Sequence, residues 1–323
     1  MSTDFAPVAR VIRSGFVEGV HVGAAVVVDP DGTVVASLGK PGVPVLPRSA
    51  AKPLQSVAML RAGLDLPPDL LALATASHSG EAEHLDGVRR ILALAGLAPE
   101  ALQGTPDLPL GRAERRAWQQ RGDEPSSLAQ NCSGQHAAML LTCVGRDWPT
   151  DAYLASEHPL QQEVARTVAE LGGTEVVATA VDGCGAPTLA LPLAALARAF
   201  GRIASAGAGS VEGRVADAVQ ARPDLLGGSG REVTRLLRAV PGLLAKDGAE
   251  GVFAAAVPGG PAVALKVGDG GARAVWPVAV ALLRRAGVRA AVLDELAEVT
   301  VLGHGEVVGS VQPVALEELR APA

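Results

Sequence analysis

An α+β fold, with one mixed sheet flanked by helices and a helical lobe beside it, is what this chain of 323 residues predicts. Three observations point there. Strand-like runs lie near both ends, helical periodicity fills the middle, and no repeat or long linker separates them. Strands from distant segments must then pair in one sheet. The expected sheet lobe takes roughly residues 1–50 and 245–323, and the helical and loop lobe roughly residues 51–244, inside a single domain over 1–323.

Residues 20–28 are almost wholly apolar and end in Asp29-Pro30-Asp31-Gly32, a turn sequence, with a second run at 33–38. That spacing predicts a β-hairpin. A helix is expected from Ser49 through Gln55 and Met59 to about Ala62, closed by Pro67-Pro68. Helical periodicity returns at 84–97, 136–144, 159–171 and 189–203, and 205–210 reads as a flexible loop. A second hairpin is expected from 251–256 and 261–267 around Pro258-Gly259-Gly260. A helix at 278–286 and a strand at 299–302 follow.

Composition narrows the function. Apolar residues make up 48% and aromatics 2%, so Ala, Val and Leu must fill the core. The net charge is −6 with signs interspersed, and there is no basic stripe, which excludes an electrostatic nucleic-acid binder. The first residues lack an apolar signal region, and no apolar run reaches the ~18 residues of a bilayer span. A soluble, cytoplasmic protein is expected. Three cysteines, an odd number, do not make a disulfide framework.

The chemistry concentrates in short blocks. Arg48-Ser49-Ala50-Ala51-Lys52-Pro53 sets a serine and a lysine at i and i+3. On one helical turn these are neighbours, so a neutral Lys52 could take the Ser49 proton. Taken alone, the same pair also suits a capping serine beside a solvated lysine. Four more blocks join small and reactive residues: Ala76-Ser77-His78-Ser79-Gly80-Glu81, Asn131-Cys132-Ser133-Gly134-Gln135-His136, Asp182-Gly183-Cys184-Gly185-Ala186-Pro187 and Leu265-Lys266-Val267-Gly268-Asp269-Gly270. Each could be a tight turn, but together with S-x-x-K they point to a hydrolytic site. Lys266 ends a strand-like run before Val267-Gly268, similar to the sheet-borne K-x-G of penicillin-recognising Ser-Lys enzymes. Cys132 and Cys184 could be buried thiols or metal ligands, and Cys132 with His136 at i+4 could be a thiol dyad. Asp182 could make an Asx turn or pair with a substrate ammonium.

In order, the segments RSAAKPLQ, ATASHSGEAEH, NCSGQHAAML, SEHPLQQ, VDGCGAPTLALPL, GGSGREVT, AKDGAEGV and ALKVGDGGARA resemble the Rhizobium-type (class 3) L-asparaginases over residues 48 to about 274. The resemblance implies a Ser-Lys amidohydrolase with a β-lactamase/glutaminase-like fold, a homodimer that converts the small molecule L-asparagine to L-aspartate and ammonia. The family's two Ser-Lys tandems fall on Ser49-Lys52 and Ser77-Lys266, with Ser79 and Lys246 as neighbouring competitors. Substrate binding is expected of Arg48, His78, Asp182 and Gly183, with Arg48 for the α-carboxylate and Asp182 for the α-ammonium. The chemistry requires no cofactor. Where the family commonly reads N-C-S-G-K-H, with that lysine and two cysteines near zinc, this chain has Gln135. An amide is a poor zinc ligand beside thiolates, so zinc at Cys132 and Cys184 would need water or another side chain.

The expected mechanism is acyl transfer: Ser49, deprotonated by Lys52, attacks the side-chain amide, and N–H groups of the helix start or the 77–80 loop hold the oxyanion. Whether Ser49 or Ser77 attacks first stays open on sequence. Lys52 would need a lowered pKa, hence an alkaline optimum. The alternatives are a Ser-Lys hydrolase of glutamine, a β-lactam or a peptide, and a metal- or ligand-binding protein without catalysis.

Overall fold

The computed structural model describes residues 4–314. Its larger sheet holds eight strands: β1 (Ala6–Arg13), β2 (Phe16–Val28), β3 (Val34–Leu38), β7 (Leu244–Gly248), β8 (Val252–Ala256), β9 (Ala262–Val267), β10 (Thr300–Gly303) and β11 (Glu306–Pro313). The order β10-β11-β1-β2-β9-β8-β7, with β3 also on β2, joins strands from both chain ends, and every described pairing is antiparallel. A smaller sheet orders β4 (Pro44–Val45), β6 (Pro187–Pro192) and β5 (Ala178–Val181). The α+β class expected from the sequence is the class of the structure.

β8 is Val-Phe-Ala-Ala-Ala and is buried at all five positions. Successive side chains face opposite sides of a sheet, so both faces are covered here. The helix Leu193–Ala204 covers one face, where Gly201 lies against Ala262. The helix Val275–Arg285 covers the other, where Trp276 meets Phe253 edge-on at 5.4 Å. Phe253 and Ala262 lie on opposite faces by their register, since Phe253 pairs with Leu265 and Ala256 with Ala262. Small side chains let these helices approach closely, which accounts for a core so poor in aromatics. The middle of the chain contributes helices Lys52–Arg61, Pro68–Ala74, Ala82–Leu94, Ser133–Gly145 and Pro159–Gly172.

The hairpin of β2 and β3 and that of β8 and β9 stand where the turn residues place them. Residues 189–203 do not form one helix. Residues 187–192 are strand β6, and the helix begins at Leu193. Pro192 marks the change, because its fixed φ and missing N–H suit the position before a helix.

Candidate active site

Three segments converge on one hydroxyl. The helix Pro68–Ala74 ends at Thr75, and the following loop is fixed by backbone bonds from Ser77 N to Leu226 O (3.0 Å) and from His78 N to Asn131 O (3.0 Å). Lys52 opens the helix Lys52–Arg61, with Pro53 in its first turn. Its buried Nζ bonds to Ala76 O, to Ser77 Oγ at 3.3 Å and to Cys132 Sγ at 3.0 Å. Lys246, on the edge strand β7, is also buried. Its Nζ lies 3.0 Å from Ser77 Oγ, 2.7 Å from Asp247 O and 2.9 Å from Asp247 Oδ1. Ser77 Oγ therefore sits between two lysine amines.

Two glycines allow this meeting. A Cβ on Gly248 would lie 2.6 Å from Pro47 O, so only glycine lets β7 press against the Arg48–Ala51 turn. A Cβ on Gly134 would lie 2.4 Å from Leu73 O, so glycine also brings the start of the helix Ser133–Gly145, and with it Cys132, beside the Ser77 loop. Ser49 and Ser77 line a cleft of about 530 Å3, together with Asn131, Arg231, Glu250 and Arg273.

Electrostatics divide the two lysines. Burial pulls the Lys246 amine down to about 8, against the upward pull of Asp247 and with help from Lys52. Asp247 itself is held well below the usual carboxylate range despite burial, because Lys246 and Arg231 both bond to it (2.9 and 2.5 Å). On the Lys52 side, the hydrogen bond with Cys184 and the nearby Lys52 amine pull the Cys132 thiol below its ordinary range against burial. That same contact, with burial, pushes Cys184 up. Each amine thus has an anion-forming neighbour.

The structure redraws the expected pairings. Ser49 and Lys52 are linked through the backbone, Lys52 N to Ser49 O, but no side-chain hydrogen bond joins them. The Lys52 amine turns instead to Ala76 O, Ser77 Oγ and Cys132 Sγ. Lys246, not Lys266, meets Ser77. Register places both lysines on one face of the sheet, since Lys246 pairs with Ala254, Ala254 with Ala264, and Val252 with Lys266. Lys266 is two strands further in, and its Nζ folds back onto Glu250 O and Val267 O. The signal for Lys246 was present in the AKDGAEGV segment, where one lysine interrupts an otherwise apolar strand start. Asp247, Arg231 and Asn131 stand in the quoted segments but were given no role, because nothing local distinguishes them from surface polar residues.

His78 is not exposed to the cleft. Its ring is fully buried, with Nε2 2.8 Å from Ser133 Oγ and stacked on His84 at 5.0 Å, and burial keeps it neutral far below its usual range. Ser79 donates to Gly227 O at 2.9 Å and shapes the loop. The amides of Ser77 and His78 are already bonded, so they cannot serve an oxyanion. Arg48 stands at φ 52°, a strained conformation for a non-glycine residue, and donates through Nε (2.8 Å) and Nη2 (2.7 Å) to Asp182 Oδ1. Gly183 N donates to the same oxygen at 2.6 Å. The Cys132–His136 dyad does not form, for His136 turns Nδ1 to Tyr153 Oη at 2.8 Å and Cys132 Sγ to Asn131 Oδ1 at 3.2 Å.

The family model described as L-asparaginase II matches residues 9–313. The chain belongs to the L-asparaginase II family. It is an amidohydrolase, and as an L-asparaginase it releases ammonia from the side-chain amide of its small-molecule substrate, L-asparagine. No curated protein matches at the level of sequence. Among solved structures, one described as a β-lactamase from Mycobacterium bovis is similar at 18% identity and a TM-score of 0.46, over 82% of this chain and 95% of that one. A structure of Mglu in its native form is similar at 18% identity and a TM-score of 0.36, over 81% of this L-asparaginase. The match spans only 62% of the Mglu chain.

Zinc finds no complete set here. Tetrahedral zinc wants four donors, and the two thiols supply two. Gln135 gives its amide to Gln55 Oε1, and Cys132 Sγ is engaged by Lys52. Among the described residues no three His, Cys, Asp or Glu side chains gather as metal ligands. The residues present do not fit the ion.

Proposed function

We propose that this L-asparaginase works by Ser-Lys acyl transfer, with Ser77 as the activated hydroxyl and Lys246 as its base. The observation that carries this reading is the position of Ser77 Oγ between Lys246 Nζ at 3.0 Å and Lys52 Nζ at 3.3 Å. A lysine brought to about 8 is partly neutral under mildly alkaline conditions, which is what a general base needs. Ser77 Oγ bonds to the amide carbon of asparagine as its proton passes to Lys246. The carbonyl electron pair moves to oxygen, near the N–H donors of Asn131 and Arg231 on the cleft wall. The carbon–nitrogen bond then breaks, the nitrogen takes a proton from a lysine, and ammonia leaves. Water, deprotonated by the same base, frees aspartate and restores Ser77. No step requires a cofactor.

Arg48 and Asp182 are the proposed grip on the substrate's carboxylate and ammonium. Their mutual bonds orient both groups, and a site for both charges selects an amino acid over a plain amide. A second reading assigns the attack to Ser49, with Ser77 relaying the proton. It is favoured by Ser49's greater exposure on the same cleft. Mass spectrometry of protein trapped with a slow asparagine analogue distinguishes the two by the acylated residue. Acylation at neither serine overturns the mechanism. Ammonia-release assays on asparagine and glutamine, with a β-lactam control, define the amide.

A cytoplasmic setting is proposed as well, supported by three free, buried cysteines, and no described helix is long and apolar enough to cross a membrane. A homodimer is proposed from the class 3 resemblance, and sedimentation would test it.

A further inference from the structure

We infer that Arg273 is a specificity-determining residue that joins Arg48 in binding the carboxylate of the amino-acid substrate, from the cleft wall, held for that task by the pair His21 and Asp269. This rests on the L-asparaginase reading and gives a role to a residue that stands in the segment ALKVGDGGARA but was assigned none above.

Arg273 lines the same cleft as Ser49 and Ser77. Its Nε donates to His21 Nε2 at 3.0 Å, and His21 Nδ1 lies 2.9 Å from Asp269 Oδ2. Because an arginine N–H can only donate, His21 Nε2 must accept, which puts the imidazole proton on Nδ1, facing Asp269. The chain Asp269–His21–Arg273 thus has one direction and one tautomer. His21 is buried on β2 and gives the relay a rigid foot. The 269–273 turn is packed tightly on that foot, since a Cβ on Gly271 would lie 2.8 Å from the His21 ring, and Gly271 N also donates to Asp269 Oδ1 at 2.8 Å.

The guanidinium is fixed through Nε alone, by a neutral partner. Among the described residues no carboxylate lies within 4.0 Å of it. The cleft's other arginine, Arg231, is paired with Asp247, and Arg48 is paired with Asp182. Arg273 is therefore the guanidinium of this group whose charge no side chain balances, with its two Nη groups left for a ligand. A planar, oriented guanidinium with open Nη donors suits a carboxylate. The substrate carries one at its α-carbon, and a primary amide without that group gains nothing there.

The test compares asparagine with 3-aminopropanamide, which keeps the amide and the amine but lacks the carboxylate. For Arg273→Ala, the ratio of kcat/KM for asparagine over 3-aminopropanamide should fall about 10- to 100-fold, mainly through KM for asparagine. Arg273→Lys keeps the charge and should recover part of that ratio. His21→Gln should give a smaller fall, because Arg273 remains but swings free. If Arg273→Ala leaves the ratio at the parent value while Arg48→Ala lowers it, Arg273 has no part in recognition and the inference is overturned. If the parent protein releases no ammonia from asparagine, the L-asparaginase reading itself fails, a result separate from any change in the ratio. Arg273 is exposed, so its removal should leave folding intact, and circular dichroism of each variant checks this.

Discussion

Lys246 Nζ stands 3.0 Å from Ser77 Oγ at the buried edge of the large sheet, and its amine titrates near 8 where it lies. Below that pH the amine carries a proton and cannot accept another. The base limb of kcat/KM for asparagine should therefore rise with pH through about 8 and level off above it. Folding stability should follow the same direction. The folded amine releases its proton near 8 and the unfolded one near 10.5, so between these values the unfolded chain binds more protons and stability rises with pH. A flat kcat/KM profile from pH 6 to 10 would remove Lys246 as the base.

Asp247 sets where that limb lies. Its carboxylate, 2.9 Å from Lys246 Nζ, favours the charged amine and opposes burial. Asp247→Asn removes the charge with little change of shape, and the limb should move to lower pH by about one unit. Arg231 loses its partner in this variant, so some loss of stability is also expected, read from the shift of the urea midpoint.

Ser77 and Ser49 should differ sharply when each is replaced by Ala. Loss of an activated nucleophile commonly costs on the order of 10³-fold or more in kcat. Ser77→Ala should reach that range for asparagine, and Ser49→Ala should lower turnover less. The reverse order would assign the attack to Ser49 and leave Ser77 as a relay.

The two serines also show how much of this site was legible in the sequence. Segments with their own punctuation were readable, as at Asp29-Pro30-Asp31-Gly32 between β2 and β3, or Pro53 at the start of the helix Lys52–Arg61. Ser77 and Lys52 were both recognisable as reactive residues in short motifs. Lys246 was recognisable as a competitor of Lys266 for Ser77, but the choice between them was not, because pairing depends on register across β7, β8 and β9, which local sequence does not fix. Lys266 and Lys246 look alike as strand-borne lysines. Only the position of β7 at the sheet edge, against the Arg48–Ala51 turn, gives Lys246 the shorter reach. Strand β6 was hidden for another reason, since a short apolar run reads equally well as buried strand or helix until Pro192 divides it.

Metal removal should change little. The two thiols lack further ligands, with Gln135 bonded to Gln55 and Cys132 to Lys52. Dialysis against a chelator should leave ammonia release within about twofold of the untreated protein. A loss of turnover restored by added zinc would show that the ion completes its set in another way, and would bring Cys132 and Cys184 back as ligands.

The contact between β7 and the Arg48–Ala51 turn offers a last prediction, because it tests geometry without touching a reactive group. A Cβ at Gly248 would press to 2.6 Å from Pro47 O and 3.1 Å from Ala50 N, both backbone atoms that cannot swing aside. For Gly248→Ala, β7 or the turn must shift. Lys246 is two residues away on that strand, so the shift should lengthen its reach to Ser77. We expect a destabilisation of about 1–3 kcal/mol, within the range for overpacking, together with a fall in kcat of about tenfold or more. Gly242→Ala is a fitting control. It also lies in the approach to β7, but its nearest neighbour is Pro258 Cγ at 3.4 Å, and its cost should come from its positive φ of 81° alone. It should lower stability with little loss of kcat, since the distance from Lys246 Nζ to Ser77 Oγ is untouched. Equal losses of kcat in both variants would mean that the fit between strand and turn does not position the lysine.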